Sequence, residues 1–298
     1  MASAQLRYFD EVVRCGSIRI AAERLHVAPS AISRQIRNME DEVGLPLFER
    51  HARGVVLTSA GEIFARYARA ALLDHERVHA EIDDLKGLRR GHIRLCSVEG
   101  VVADGLTQAI ATFRQRFSGV TFRLTITGTE HVMAAVRDGD TDIGIAFTSS
   151  PEPGVRYAAR FRDPLFAVVS PRHVLAKAKR ISLSEALAHP VAVPEKGFGI
   201  RTLLDTRCRS ARLVLRPTLE TNSIEGLRGF ARSGSGVTFL PRMTVRREID
   251  FSLVKPIPLV DRELQQASVD VCVLEDRKLP SAVVEFLNHL QRVFTEAR

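Results

Sequence analysis

The feature that most restricts the fold is a change in hydrophobic periodicity near residues 85–91. Before this point, apolar residues recur every three or four positions, which is typical of amphipathic helices. After it, short apolar runs alternate with helical patterns, which predicts parallel βαβ units. A chain of 298 residues is long enough for two domains. We therefore expect a helical N-terminal part and an α/β C-terminal part, joined at "LKGLRRG".

The N-terminal part has the start and stop signals of three short helices. Gly16 ends the first helix, and Ser17 is a suitable N-cap for the second. Pro29 fits the first turn of the third helix, where its missing N–H is harmless, and Gly44 ends that helix. Two short extended pieces flank Gly54. This order predicts a helix-turn-helix over about residues 18–37, followed by a β-wing.

A long helix follows, which we expect to begin with a capping box formed by Ser59 and Glu62. Its apolar stripe alternates steps of four and three, which is typical of a packing seam. The stripe comprises Phe64, Ala68, Ala71, His75, Val78, Ile82 and Leu85. It can pack on its own domain or on a second copy of the chain. We favour the second copy, because the helix is long and a separate domain follows it.

Composition restricts the class of protein. Residues 1–90 hold 14 Lys and Arg against 13 Asp and Glu, so most of the net charge of +8 lies in the remainder. DNA binding by this segment would depend on a few placed arginines rather than on bulk charge. No apolar run approaches the roughly 20 residues that span a bilayer, and no secretory leader is evident, so we expect a cytoplasmic protein.

No enzyme or metal motif is found in the sequence. The four cysteines are scattered without paired spacing, which favours reduced thiols over a disulfide or zinc site. No nucleophile elbow, phosphate-binding loop, dinucleotide fingerprint or zinc-protease motif occurs. We therefore expect no catalytic residues, no cofactor and no bound metal.

Three stretches together carry a family resemblance. They are "GSIRIAAERLHVAPSAISRQIRNMEDEVGLPLFERHARGVVLTSAG" from residue 16, "VRDGDTDIGIAF" from residue 136 and "SGSGVTFLP" from residue 233. The chain resembles the LysR-type transcriptional regulators over its whole length. Ile18 replaces a usual aromatic residue and Met39 a usual leucine, both of which are volume-tolerant exchanges. Pro29 stands where a polar residue is frequent, which would remove one base contact.

The resemblance implies a domain plan. Residues 1–58 would form a winged helix-turn-helix DNA-binding domain, and residues 59–89 a linker and dimerisation helix. Residues 90–298 would form an effector-binding domain similar to a type 2 periplasmic binding protein. Its lobe I would cover about residues 91–162 and 267–298, and its lobe II about residues 163–266. The chain would cross between the lobes near residues 162–164 and 265–268.

The resemblance also implies the function and the partners. The chain would be a sequence-specific regulator whose promoter binding and DNA bending respond to a small-molecule effector. Double-stranded promoter DNA, the effector and RNA polymerase would be its partners, together with further copies, as a dimer through residues 59–88 or a tetramer. The alternative is an architectural DNA-binding protein that needs no ligand.

Short polar side chains at the start of the third helix, with arginines behind them, suit a helix that enters the major groove. Arg34 is the foremost candidate for a guanine edge, and Ser30 for a phosphate at the helix N-terminus. For Arg50, a backbone contact and a salt bridge with a neighbouring glutamate remain equal alternatives. Gln35 can contact phosphate or pack. The predicted DNA contacts are Pro29, Ser30, Ser33, Arg34, Arg37, Arg50 and Arg53.

In a two-lobed α/β domain, ligands bind in the crevice where strands end and helices begin. The predicted effector contacts are Ser97, Glu99, Gly128, Thr129, Phe147, Phe198, Gly199 and Thr221. The Glu99 carboxylate would repel small acids unless Lys196 or Arg201 lies opposite. We therefore expect a polar or amphoteric effector, with a solvent-facing Glu99 as the alternative.

Overall fold

The computed structural model describes residues 3–51, 54–85 and 90–296. The chain divides into two compact units, of which the first ends at Ile82 and the second begins at Asp83. Each unit has a hydrophobic core of its own. Among the described helices, none has the length and apolar character needed to cross a membrane.

The first unit contains the helix-turn-helix and the wing that were predicted. Its elements are α1 (Ser3–Cys15), α2 (Ile18–Leu25), α3 (Pro29–Val43), β1 (Phe48–His51), β2 (Gly54–Leu57) and α4 (Ser59–Leu85). Strands β1 and β2 pair antiparallel, with Phe48 opposite Leu57. The prediction of three helices followed by a β-wing is confirmed.

The helix ends in this unit follow the predicted local signals. The Ser17 hydroxyl caps α2 by accepting from the backbone N–H of Ile20 at 3.4 Å. His26 ends α2 in the left-handed region, with φ of 53°, and Gly44 ends α3 with φ of 76°. Pro29 occupies the first turn of α3. Together, the end of α2 at His26 and the start of α3 at Pro29 set the tight turn between the two helices.

The core of the first unit holds α3 against α1 and the wing. Phe9, Ile32 and Met39 are fully buried. The rings of Phe9 and Phe64 meet edge to face with centroids 4.8 Å apart. The Glu40 carboxylate accepts from the backbone N–H groups of Leu47 and Phe48, at 2.8 and 3.2 Å. Glu40 therefore links α3 to the chain that leads into the wing.

The start of α4 differs from the prediction by one residue. The Thr58 hydroxyl accepts from the backbone N–H of Gly61 at 2.9 Å, so Thr58 is the N-cap and Ser59 already lies in the helix. A cap requires a non-helical residue whose oxygen reaches an N–H two or three positions later, and Thr58 satisfies that geometry. The predicted capping box of Ser59 and Glu62 was therefore wrong.

The apolar stripe of α4 divides into two parts. Phe64 and Ala68 are buried in the core of the first unit. Further along, Val78 is 39% exposed and Ile82 is 43% exposed. Packing on its own unit thus accounts for the first half of the stripe and leaves the second half apolar and accessible.

The second unit alternates strands with helices. Its strands are β3 (Arg90–Ser97), β4 (Gly119–Ile126), β5 (Ile143–Phe147), β6 (Val155–Arg162), β7 (Leu165–Val169), β8 (Val191–Pro194), β9 (Leu219–Thr221), β10 (Val237–Pro241), β11 (Lys255–Pro258) and β12 (Ser268–Leu274). Its helices are α5 (Thr107–Arg116), α6 (Thr129–Arg137), α7 (Leu183–Ala186), α8 (Gly199–Ser210), α9 (Ile224–Arg232), α10 (Arg246–Asp250), α11 (Arg262–Gln265) and α12 (Ser281–Glu296). Short helical turns cover Glu99–Val101, Val102–Leu106, Val174–Lys177 and Met243–Val245.

These strands form two sheets of five strands each within the described residues. The order is β4-β3-β5-β12-β6 in the first sheet, called lobe I below, and β11-β7-β10-β8-β9 in the second, called lobe II. Strand β3 runs parallel to β4 and β5, and β8 parallel to β9 and β10. The chain leaves lobe I after β6 and returns to it at β12. The backbone N–H of Asp163 donates to the Ala267 carbonyl at 2.8 Å, so the two crossings lie side by side.

A buried cluster of charged side chains stabilises lobe I. The Asp142 carboxylate, 3% exposed, forms ion pairs with Arg94 at 2.8 Å and Arg277 at 2.7 Å. Burial alone would raise the pKa of Asp142, but hydrogen bonds and charge from Arg94, with the charge of Arg277, lower it overall. The carboxylate joins β3, the start of β5 and the segment after β12.

The buried cysteines are protonated thiols at neutral pH. Cys96 and Cys272 are free and buried, and desolvation raises the pKa of Cys96 to about 11 and of Cys272 to about 12. Because the thiolate is the reactive form, neither residue has the character of a redox-active cysteine.

We predict that Asp142→Asn lowers the free energy of unfolding of the second unit by about 3–5 kcal/mol, since it leaves two arginines without their carboxylate. Because the native pKa is depressed, the contribution of Asp142 is present above the pKa of an unfolded carboxyl group, about 3.9, and is lost as the pH falls through the native value. Urea unfolding of wild type and variant between pH 3 and 7 measures both effects, and their difference should shrink towards pH 3.

The matched control is Asp138→Asn, which breaks the exposed pair with Arg137. That loss should cost about 0.5 kcal/mol or less. Equal effects of the two variants would contradict a special role for Asp142.

Candidate DNA-binding surface and interlobe cleft

Helix α3 has one buried face and one polar, accessible face. Ile32, Ile36 and Met39 lie in the core. The opposite side exposes Pro29, Ser30, Arg34 and Arg37, with the half-buried Ser33 beside them. The 3.6-residue period therefore brings the predicted contact residues of α3 onto one surface.

Within the described residues, the arginines of this surface are not neutralised by internal ion pairs. The guanidinium groups of Arg34, Arg37 and Arg50 form no hydrogen bond or ion pair with any residue that the structure describes. Elsewhere in the first unit, Arg14 pairs with Asp10 at 2.7 Å and Arg24 with Glu11 at 3.2 Å. The α3 face therefore offers cations whose charge is not locally neutralised.

Two further predictions for this surface, for Arg50 and Gln35, are answered by the structure. The alternative salt bridge of Arg50 is absent from the described residues, where Glu49 instead approaches His51 at 3.7 Å. The Gln35 side chain packs against α1, where its Oε1 accepts from Gln5 Nε2 at 2.8 Å. Arg53 lies outside the described residues.

The N-terminus of α3 has no side-chain cap. Ala28 occupies the N-cap position and makes no side-chain hydrogen bond there. Pro29 contributes no N–H, so Ser30 supplies the first backbone donor of the helix together with its hydroxyl. An uncapped N-terminus with partial positive charge is suited to an anion such as a DNA phosphate.

A cleft lies between the lobes of the second unit, with about 350 Å³ of space including its solvent-open part. Five of the eight predicted effector residues line it, namely Glu99, Thr129, Phe147, Phe198 and Gly199. The remaining lining residues are Val98, Gly100, Val101, Ile200, Ile224, Pro241 and Thr244. The wall is thus mainly apolar, with a few polar groups.

The other three predicted residues lie close by but are not part of the lining. The Ser97 hydroxyl is buried and donates to the Val98 carbonyl at 3.0 Å. Gly128 precedes α6 and packs against the backbone of Gly197. The Thr221 hydroxyl accepts from the backbone N–H of Ser223 at 3.1 Å. Each of them shapes a loop at the edge of the cleft.

The lobes touch directly at Thr129 and Gly199. The backbone N–H of Gly199 donates to the Thr129 hydroxyl at 3.2 Å, and that hydroxyl donates to the Phe147 carbonyl at 3.2 Å. A Cβ atom at position 199 would lie 1.8 Å from the Phe147 oxygen. Only glycine permits this approach of α8 to lobe I.

Glu99 forms a further bridge between the lobes. Its Oε2 accepts from the backbone N–H of Ile224, at the N-terminus of α9, at 2.8 Å. Neither Lys196 nor Arg201 lines the cleft, and Arg201 is buried in ion pairs with Asp205 and Glu220. A lobe I carboxylate therefore occupies the positive end of a lobe II helix.

Sequence reasoning missed the contribution of the chain after β10. Pro241 ends that strand, and Thr244 follows in a short turn that packs against Gly100. The rule that strand carboxyl ends line the crevice applies to "GVTFLP" as it does to the other strands, and it could have indicated Pro241. Thr244 carried no such signal, because its place depends on the turn Met243–Val245.

Comparisons with known proteins agree with this geometry. Residues 3–62 match the family model described as "Bacterial regulatory helix-turn-helix protein, lysR family", and residues 86–295 match the model "LysR substrate binding domain". The chain belongs to the LysR family. Its resemblance to LysR-type regulators is thereby confirmed.

Among the relatives of this LysR-family chain is the RuBisCO operon transcriptional regulator of Allochromatium vinosum, 31% identical over 83% of this chain and 81% of the relative. A structure of full-length OxyR from Pseudomonas aeruginosa, in a cysteine-to-aspartate variant, has a TM-score of 0.72 at 18% identity, covering 99% of this chain and 94% of that one. Full-length CbnR complexed with its target DNA has a TM-score of 0.59 at 20% identity, covering 98% and 100%. These structures show the shared fold.

The family membership establishes the general function. The chain is a DNA-binding transcriptional regulator with a C-terminal effector-binding domain, and its named relatives are regulators rather than enzymes. The α3 surface and the interlobe cleft are the two candidate sites on which its specificity would depend.

We predict that Gly199→Ala destabilises the second unit by about 3 kcal/mol, because the added methyl group collides with the Phe147 carbonyl and forces the lobes apart. Thermal and chemical unfolding measure the loss. Gly229→Ala in α9 is the control, since the nearest atom to its new Cβ lies 4.0 Å away, and it should be neutral or slightly stabilising. A neutral Gly199→Ala would contradict the close contact of the lobes.

Proposed function

We propose that this regulator reads a specific operator through the exposed face of α3, and that a small molecule in the interlobe cleft changes the DNA complex. One observation carries the proposal: α3 presents arginines without partners among the described residues, while the second unit holds a cleft bridged by a few polar contacts. The proposed domains are residues 1–58 for DNA, 59–89 for linkage and 90–298 for the effector.

The proposed reading of DNA assigns separate tasks to the exposed groups. Arg34 would contact a base edge, preferably O6 and N7 of guanine, with Ser33 and Arg37 beside it. Ser30 and the N-terminus of α3 would hold a phosphate, and Arg50 on the wing would reach the backbone or minor groove. Effector-driven movement of the lobes would change the spacing of the DNA-binding heads and thereby the DNA bend.

We predict that Arg34→Ala weakens operator binding by about 1–3 kcal/mol, with the largest loss at one base position, because a bidentate base contact is removed. Fluorescence anisotropy with the operator and with single-base variants measures this change. Arg14→Ala removes an arginine already paired with Asp10 and should leave affinity unchanged.

The outcome also separates the regulator from an architectural DNA-binding protein. A regulator protects a bounded site in footprinting, and Arg34→Ala should protect that site only at higher protein concentration. Unchanged affinity of Arg34→Ala would contradict the assignment of α3. Broad protection without a preferred site would favour the architectural alternative.

We propose that the effector is neutral, amphoteric or cationic rather than a simple acid. The Glu99 carboxylate already occupies the N-terminus of α9, and no basic side chain lines the cleft within the described residues. A second carboxylate there would be repelled by Glu99 and would compete with it for the Ile224 N–H. The apolar walls favour a ligand body with few charges.

We predict that Glu99→Gln raises the affinity of the cleft for small carboxylates, since it replaces the negative charge that repels them with a neutral amide. A thermal-shift screen of monocarboxylates, dicarboxylates, amino acids and amines against wild type and variant tests this. Glu195→Gln, which changes an exposed glutamate outside the cleft, is the control. A dicarboxylate as the tightest ligand of the wild type would overturn the proposed effector class.

We propose that the accessible half of the α4 stripe packs on a second copy of the chain. Val78 and Ile82 are partly exposed on one face of a 27-residue helix, and pairing two such faces would remove them from water.

We predict that Val78→Asp combined with Ile82→Asp shifts the chain towards the monomer at micromolar concentration, because the charges would face each other in the seam. Analytical ultracentrifugation measures the shift. Val174→Asp places the same charge at an exposed valine of the second unit and should leave assembly unchanged. Assembly unaffected by the α4 variant would contradict the seam.

A further inference from the structure

A second crevice lies where the chain first crosses between the lobes. It has about 1380 Å³ of space, including the part open to solvent, and we call it the hinge crevice. One wall is formed by residues 161–166 at the first crossing, and the other by residues 242–250 after β10. It shares no lining residue with the interlobe cleft among the described residues.

Three arginines and two aspartates provide the charge of the hinge crevice, so the balance is positive. The arginines are Arg162, Arg242 and Arg246. Asp163 is buried, and its Oδ1 accepts from the backbone N–H of Arg242 at 3.2 Å, which occupies part of that carboxylate. The guanidinium of Arg242 forms no hydrogen bond or ion pair with any described residue. This cation remains available for a ligand.

Apolar groups lie between these charges. Phe166, Met243 and Ile249 line the crevice and are each half-buried, so part of every side chain faces the open space. A few charged groups around an apolar wall form the general pattern of a small-molecule site. Guanidinium groups bind carboxylates and phosphates through paired hydrogen bonds.

We propose that the hinge crevice is a second ligand site for a small organic anion with an aromatic or branched apolar body. Arg242 and Arg246 hold the carboxylate or phosphate, and Phe166, Met243 and Ile249 contact the body. This site is separate from the interlobe cleft, in which Glu99 disfavours acids.

The position of the hinge crevice links its occupant to the cleft. Pro241 and Thr244 line the cleft, whereas Arg242 and Met243, between them in the chain, line the hinge crevice. Thr244 packs so closely on lobe I that a Cβ atom at Gly100 would lie 2.7 Å from its hydroxyl. An anion held by Arg242 therefore restrains a segment that forms one wall of the cleft.

The test uses the full chain and a fluorescent aromatic sulfonate, 8-anilinonaphthalene-1-sulfonate. N-phenyl-1-naphthylamine, which has the same rings without the sulfonate, is the neutral counterpart. The sulfonate should bind the wild type more tightly than the neutral probe. Its Kd should rise about tenfold in the double variant Arg242→Gln/Arg246→Gln, as expected for lost charge-assisted hydrogen bonds. Arg209→Gln, an exposed arginine of α8 without a described partner, is the control and should leave Kd unchanged.

Two further measurements place the probe. Phe198→Ala, which alters the wall of the interlobe cleft without removing a side-chain hydrogen bond between the lobes, should not change sulfonate binding. Saturating sulfonate should slow amide hydrogen exchange in residues 242–247 of the wild type but not of the double arginine variant.

Three results would overturn the proposal. They are equal affinity for both probes, binding lost in Phe198→Ala but retained in the arginine variant, or unchanged exchange in residues 242–247. The effect of Arg242 and Arg246 on sulfonate binding is measured without operator DNA and without an effector in the cleft. The test can therefore be interpreted even if either part of the proposed function is wrong.

Discussion

The hydrogen bond from the Gly199 backbone to the Thr129 hydroxyl holds the two lobes of the second unit in contact. It requires that α8 approach lobe I so closely that a side chain at position 199 would collide with the Phe147 carbonyl. Glu99 adds a charged hydrogen bond to the start of α9 on the other side of the cleft. With the hydrogen bond from the Glu130 N–H to the Gly197 carbonyl at 3.3 Å, these contacts bring several short segments together around a mainly apolar space.

The positions of the charged residues matter more for this protein than its net charge. The first unit is nearly neutral, yet α3 and the wing keep arginines free of partners among the described residues. In the second unit, Asp142 and Arg201 are absorbed into ion pairs that stabilise lobe I and lobe II, respectively. Glu99 is the charged residue that lines the cleft among the described residues, whereas Arg162, Arg242 and Arg246 line the hinge crevice.

Local signals were reliable where a single residue decides the backbone. Ser17, Pro29 and Gly44 begin or end their helices as expected, because capping depends on atoms only a few residues apart. The cap of α4 was misplaced by one residue, since Thr58 and Ser59 have similar capping ability and the path of the wing chooses between them. Tertiary packing also divides the α4 stripe. The core of the first unit covers Phe64 but does not reach Ile82, which stays partly exposed.

The sequence by itself determined the family, the order of the elements and the face of α3 that carries Ser30, Arg34 and Arg37. These properties follow from periodicity and from motifs that are continuous in the chain. Only the tertiary structure decided that Glu99 meets Ile224, that Arg201 turns away into its own ion pairs, and that Thr244 completes the cleft. Glu99 and Ile224 are 125 positions apart, so their contact depends on how two sheets are placed against each other, which no local pattern encodes.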